Sequence, residues 1–183
     1  MLHAFTWLPS QYRWALLATL LAGTVVFAYK LKTQGEPLVT ADAPRGILTY
    51  EFAWSRSGVE LILRSWSSLK DVARRQLRLD FGFLVFYPLL LSLACAMMAE
   101  SPHNETAVVG VFISWAVLGS GPLDAVENLA LLRMLDAGAS GGLARLAGWC
   151  AGIKFLLVFS CLGYLMLQGA GILVGKMRAV LQK

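Results

Sequence analysis

Three polar residues fall within little more than one turn of an otherwise apolar stretch: Asp124, Glu127 and Asn128, in "GSGPLDAVENLALLRML" (119–135). Their i, i+3, i+4 spacing puts all three on one helical face. A carboxyl in apolar surroundings is held above its ordinary pKa and can give or take a proton near neutrality. Asp124 and Glu127 are therefore the candidate catalytic acid–base pair, with Asn128 beside them to hydrogen-bond a ligand. Three more polar side chains lie in apolar runs: Asp80 and Tyr87 in "RLDFGFLVFYPLLL", and Lys154 in "CAGIKFLLVFS". Asp80 and Tyr87 are two turns apart on one face and are expected to orient a ligand, with Lys154 setting the local charge.

Depth along the helices ties these residues together. Arg133 marks one end of the helix that carries Asp124, and Arg145 the start of the next. Asp124 and Lys154 each lie nine residues from those markers, roughly 13 Å at 1.5 Å per residue. Helices joined by a short loop are usually antiparallel neighbours, so Lys154 is expected to pair with Asp124 or Glu127. Gly82 and Pro88 flank the Asp80–Tyr87 face and are expected to bend that helix and open space beside it.

A charge at mid-membrane costs at least about 2.5 to 3.5 kcal/mol, so it is normally paired or faces a cavity. Two readings follow. In one, the carboxylates line a cavity and bind or protonate a lipophilic ligand. In the other, an Asp–Lys pair and amide bonds hold the bundle together, with Ser114, Ser120 and Ser160 contributing. "GSGP" before Asp124 fits either a locally broken helix that opens backbone groups to a cavity or close packing at Gly119 and Gly121.

The elements that must carry these residues are long and apolar. Of 183 residues, 57% are hydrophobic and 15% charged, against about 25% charged in a typical soluble domain. Four runs approach the roughly 20 residues a spanning helix needs: 14–29, 81–99, 107–135 and 143–175. The expected fold is all-α, a four-helix transmembrane bundle in a single integral membrane domain over 1–183. Trp7, Tyr12, Trp14 and Tyr29 suit an interfacial belt. Arg13 before an apolar core, and "VFA" at 26–28, also resemble a signal peptide with its cleavage site; an uncleaved anchor is the preferred reading. Between the first two runs, "KTQGEPLVTADAPRG" reads as irregular loop. Across 57–78, Val59, Ile62, Leu63, Trp66, Leu69 and Ala73 recur at helical spacing, with Arg64, Lys70, Arg74, Arg75 and Arg78 mostly elsewhere around the wheel. This is the pattern of an additional amphipathic helix, lying at the bilayer interface or packed on the end of the bundle.

Lysine and arginine counts set orientation. The first connection holds nine of them, Lys30 to Arg78; the second, "ESPHNETA", holds none; the third is flanked by Arg133 and Arg145. The first and third connections are therefore expected in the cytoplasm and both termini outside, although the tail "GKMRAVLQK" carries three positive charges to the outer side. The net charge of +5 is concentrated in one connection, a pattern that does not suggest nucleic-acid binding. Cys95, Cys150 and Cys161 form no CxxC pair and read as small core- or lipid-facing residues. His3 and His103 lie outside the spans, which argues against bis-His haem ligation within the membrane. Asp80, Asp124, Glu127 and Asn128 are oxygen donors of the kind Mg²⁺ prefers, but no phosphate-handling motif accompanies them, so no metal or cofactor is assigned. "NET" at Asn104 matches a glycosylation sequon, a frequent chance match.

Taken together, "YEFAWS…LILRSW…RLDFGFLVFYPLLLSL…GPLDAVENLALLRML" resembles a group of small, uncharacterised bacterial four-span membrane proteins. These pair an Asp-led second span containing a Tyr with a later L-D-x-x-E-N element. The resemblance covers about residues 47–135 and implies the architecture and a bacterial inner-membrane location; no activity comes with it. The functional expectation is a site for a lipophilic ligand. The alternative is a non-catalytic subunit of a larger membrane complex. The expected partners are membrane lipids, other membrane subunits or further copies of this chain.

Overall fold

The computed structural model describes residues 3–101 and 106–181; His103 and Asn104 lie outside them. The chain is all-α: α1 (Ser10–Gly35), α2 (Ile47–Glu51), α3 (Arg56–Ser65), α4 (Lys70–Ala99), α5 (Ala107–Leu118), α6 (Ser120–Ala137) and α7 (Gly141–Leu181). Four stretches are long and apolar enough to cross a membrane: 10–38, 70–99, 107–137 and 141–171. This is the expected four-span bundle with additional short helices. Each helix outruns its apolar window because the backbone continues its hydrogen bonding into the polar zone. α4 is central and touches α1, α5, α6 and α7, whereas α1 packs chiefly on α4.

The α1–α4 contact is a reciprocal pair of notches. Gly23 on α1 receives the Phe86 ring of α4, and Gly82 on α4 receives the Phe27 ring of α1; a Cβ at either glycine would collide with the ring it accepts. The two rings stack with centroids 5.4 Å apart. Between helices surrounded by lipid, such close packing supplies the attraction that the hydrophobic effect supplies in water. Ser92 on α4 and Ser114 on α5 add an exchanged pair of bonds, Ser92 Oγ to the Ser114 carbonyl at 2.6 Å and Ser114 Oγ to the Ser92 carbonyl at 3.0 Å. Ser120 instead bonds within its own chain turn, to the Val117 carbonyl, and Ser160 is exposed. The three cysteines are buried free thiols. Cys95 and Cys161 bring their sulfurs to 3.0 Å, joining α4 to α7.

The amphipathic stretch 57–78 is not one helix. α3 ends at Ser65, residues 66–69 form turns, and 70–78 are the opening turns of α4. Trp66 causes the break. Its ring is fully buried and its Nε1 donates to the Leu38 carbonyl at 2.9 Å, which turns the backbone inward. The Ser67–Ser68 pair that follows favours turns over helix interior. The apolar face of the stretch (Val59, Ile62, Trp66, Ala73) joins Leu38, Tyr50, Leu131 and Met134 in the largest core cluster. It therefore covers the end of the bundle instead of lying on lipid.

At the opposite end a clamp holds the N-terminal segment. His3 Nδ1 accepts from the Phe5 amide, so Nε2 carries the proton donated to Glu100 Oε1 at 2.6 Å. Arg13 pairs with Glu100 Oε2 and donates to the Leu8 carbonyl. Partial burial pushes the Glu100 carboxyl up, but the His3 bond and the Arg13 charge outweigh it and hold the group below its ordinary 4.5. A carboxyl lowered in the folded state contributes stability above its unfolded pKa and loses it as pH falls through the folded value. Amide protection of residues 4–8 is thus expected to persist at neutral pH and to collapse only below pH 4.5. Glu100→Gln should weaken it at every pH. Hydrogen exchange corrected for intrinsic rates reads both, and pH-independent protection would refute the clamp.

Candidate functional site

The six residues singled out from sequence come together in the half of the bundle nearest the α2–α3 cap. On α6, Asp124, Glu127 and Asn128 are all buried, Glu127 completely. Lys154 enters from α7 and serves all three neighbouring carboxylates. Its Nζ lies 2.9 Å from Asp124 Oδ1, 2.9 Å from Glu127 Oε2 and 3.8 Å from Glu51 Oε2. The expected pairing with Asp124 or Glu127 is a pairing with both. The Glu127 contact has ion-pair distance without hydrogen-bond alignment, and neither Glu127 oxygen has a hydrogen-bond partner.

α4 supplies the other side. Tyr87 O–H donates to Asp124 Oδ2 at 3.0 Å and lies 3.3 Å from the Ser120 carbonyl. Asp80 accepts from Asn128 Nδ2 at 2.6 Å and makes no ion pair with Arg78 among the described residues. Two features of the sequence prepare this contact. The helix breaks for one residue at Gly119, between α5 and α6, where Ser120 turns its carbonyl to Tyr87. Pro88 has no N–H for the Leu84 carbonyl, and Gly121 leaves room for it: a Cβ there would meet that oxygen at 3.3 Å and the Pro88 ring at 3.4 Å. Close packing thus holds at Gly121, while Gly119 keeps an α-helical φ of −63° and ψ of −20°.

Glu51 is the residue that sequence reasoning missed. It lies in the connection between the first two spans, yet its side chain is 12% exposed. Three anchors put it there. Tyr50 O–H donates to the Leu131 carbonyl of α6 at 3.1 Å, and Phe52 stacks on Phe155 of α7 at 5.9 Å. Trp54, at φ 55°, lays its ring where a Cβ of Gly148 would be. That φ is a costly conformation for a large side chain, and it aims the segment at α7. The one available signal was a lone carboxylate in the apolar, aromatic string "ILTYEFAW". Burial pushes the Glu51 carboxyl above its ordinary range; Lys154 and Glu127 pull against this, and Asp124 adds to it.

Four carboxylates (Glu51, Asp80, Asp124, Glu127) thus share one cation among the described residues, Lys154. With every group ionised the cluster would carry three uncompensated negative charges, which low-dielectric surroundings disfavour. It must hold protons or receive a cation.

A cavity of about 350 Å³ opens beside it, between α1, α4 and α7. Glu51, Asp80, Asp124 and Lys154 line one end; Leu91, Val158 and Leu162 are among the apolar residues lining the rest. α1 and α7 make no extended contact, so the cavity's side wall is incomplete. Glu127 does not line it: it stands behind Lys154. A smaller chamber of about 100 Å³, lined by Leu31, Ile47, Glu51, Gln76, Leu77, Asp80 and Asn128, lies next to it and shares Glu51 and Asp80. A groove of about 420 Å³ at the far end of α1 has as its charged residues Arg13 and Glu100, already paired with each other.

No protein-family model, curated protein or solved structure matches this chain. Fold and cluster therefore define its class directly: a polytopic helical membrane protein with a buried carboxylate–lysine network. Within that network Asp124, Tyr87 and Asp80 line the larger cavity, while Glu127 reaches it only by its contact with Lys154.

Proposed function

We propose that this protein binds an amphiphilic molecule from the bilayer, its polar end against Glu51, Asp80, Asp124 and Lys154 and its apolar chain along α4 and α7. The observation that carries this reading is the cavity itself. It is charged at one end and apolar over the rest, and its side wall is incomplete where α1 and α7 make no extended contact. A purely structural cluster would be closed and mutually satisfied, whereas here a void adjoins Glu51, whose Oε2 has no hydrogen-bond partner. Asp124, hydrogen-bonded to Tyr87, is the carboxyl placed to exchange a proton with the bound molecule. Glu127 and Lys154 position it. The same reading puts the protein in a bacterial inner membrane, with the basic first connection in the cytoplasm and both termini outside. Single-cysteine labelling of Ser57→Cys and Ser10→Cys in intact cells, expected protected and reactive respectively, tests that orientation, and the reverse pattern would refute it.

The binding test is native mass spectrometry of the purified protein and of Val158→Trp, which fills the apolar part of the cavity. The wild type is expected to carry a lipophilic adduct. The variant should lose it while keeping its thermal midpoint within a few degrees, as surface and cavity-lining changes of small energy do. An adduct retained equally by both, or absent from both in freshly extracted membranes, would overturn the reading.

A further inference from the structure

The buried polar atoms that lack a hydrogen-bond partner are all acceptors. Among the described residues they are Glu51 Oε2, Gln76 Oε1 and both oxygens of Glu127. Two of these belong to residues lining the chamber of about 100 Å³, with Asp80 alongside. Gln76 is 6% exposed and its amide orientation is set: Nε2 donates to the Leu31 carbonyl at 3.4 Å, so Oε1 is left for the chamber. The other amide donor of the lining, Asn128 Nδ2, is directed at Asp80. The remaining lining, Leu31, Ile47 and Leu77, has no donor side chain.

A small chamber offering two carboxylates and an amide oxygen, with one N–H of each lining amide engaged, is complementary to a compact cation carrying several N–H groups. Phosphate, sulfate or a carboxylate would meet like charge there. A quaternary ammonium brings no donor for Gln76 Oε1 or Glu51 Oε2, and burying an acceptor unpaired costs as much as losing a hydrogen bond. The space, about 100 Å³, is large enough for an aminoethyl group. Among the described residues no three His, Cys, Asp or Glu side chains converge as a metal site would require. The chamber and the larger, mostly apolar cavity share Glu51 and Asp80 in their linings.

We infer that the site takes an amphiphile ending in a primary ammonium group, the ammonium seated among Gln76, Glu51 and Asp80 and the chain in the cavity between α1, α4 and α7. This deepens the binding reading above and rests on it. A long-chain amine and an aminophospholipid both present that head, and they differ in whether a phosphate follows it.

The experiment is titration of the purified, delipidated protein, followed by thermal shift and native mass spectrometry, with dodecylamine, dodecyltrimethylammonium, dodecanol, dodecanoate and short-chain phosphatidylethanolamine. Dodecylamine should bind saturably, and dodecyltrimethylammonium at least about tenfold more weakly, the loss of one hydrogen bond to a charged group. Dodecanoate should not bind. Gln76→Leu and Asp80→Asn should each weaken dodecylamine by about the same factor, and Gln76→Leu should leave dodecanol unchanged, since Gln76 does not line the apolar cavity. Phosphatidylethanolamine binding on a par with dodecylamine would identify the aminophospholipid as source, and its exclusion the free amine. If dodecanol and dodecylamine bind equally, and Val158→Trp abolishes both, the cavity binds amphiphiles and the ammonium assignment falls. If no amphiphile binds, both readings fall. If ethylammonium or Na⁺ alone gives the full stabilisation, the chamber is a small-cation site and the amphiphile assignment falls.

Discussion

Replacing Lys154 with methionine should cost about 3 to 5 kcal/mol of stability, the usual penalty for removing one partner of a buried charge pair. Methionine matches the lysine stem in length, so little packing volume changes. What changes is electrostatic: Asp124 and Glu127 lose the ammonium 2.9 Å from each, and Glu51 loses its nearest cation at 3.8 Å. Three carboxyls then face one another in apolar surroundings, and each can escape only by taking up a proton. The unfolding midpoint in micelles should fall sharply at neutral pH and recover on acidification, as protonation removes the unpaired charges. Adding Asp124→Asn and Glu127→Gln to Lys154→Met should restore most of the loss at neutral pH, because a neutral cluster has little charge left to desolvate. A midpoint unchanged in the single variant would mean that the carboxyls are already neutral and that Lys154 does not hold them.

Trp66→Ala is expected to be of similar size, about 3 to 5 kcal/mol, as for other large buried aromatic truncations, though for a different reason. Trp66 is fully buried, in edge contact with Tyr50 at 5.4 Å, and it supplies the 2.9 Å bond that satisfies the Leu38 carbonyl. Truncation leaves a cavity and an unpaired carbonyl together. The consequence reaches the site, because Tyr50 and the Leu38 turn support the segment that presents Glu51. Hydrogen exchange should therefore accelerate across residues 36–53 in Trp66→Ala but not around Asp124. Trp66→Phe keeps most of the volume and loses the N–H bond, so it should cost about 1 kcal/mol. Equal costs for the two substitutions would mean that volume does not matter at this position.

The two variants separate what each half of the site depends on. Lys154, Asp124, Glu127, Asn128, Asp80 and Tyr87 ride on spanning helices, where position along the sequence converts to depth at a constant rise. That is why counting from Arg133 and Arg145 foretold the 2.9 Å contact between Lys154 and Asp124. It is also why the i, i+3, i+4 spacing put Asp124, Glu127 and Asn128 on one buried face. Glu51 had no such ruler. Its place depends on Tyr50, Phe52 and Trp54 finding α6 and α7, contacts between residues up to 103 positions apart (Phe52 and Phe155), and nothing in the local pattern of "ILTYEFAW" specifies them.

Apolar length and helical period are local properties, and they were enough to determine an all-α chain with four spans and a polar face on the second, third and fourth. Tertiary structure alone decided how that face is used. Trp66 broke the amphipathic stretch because a buried partner, the Leu38 carbonyl, outweighed helical periodicity. Glu127 was set behind Lys154 instead of at the cavity, and Gln76, unremarkable in sequence, was left with a buried acceptor facing a chamber. Each of these depends on which side chains arrive from elsewhere in the chain to fill or leave a space. Periodicity along one helix carries no information about that.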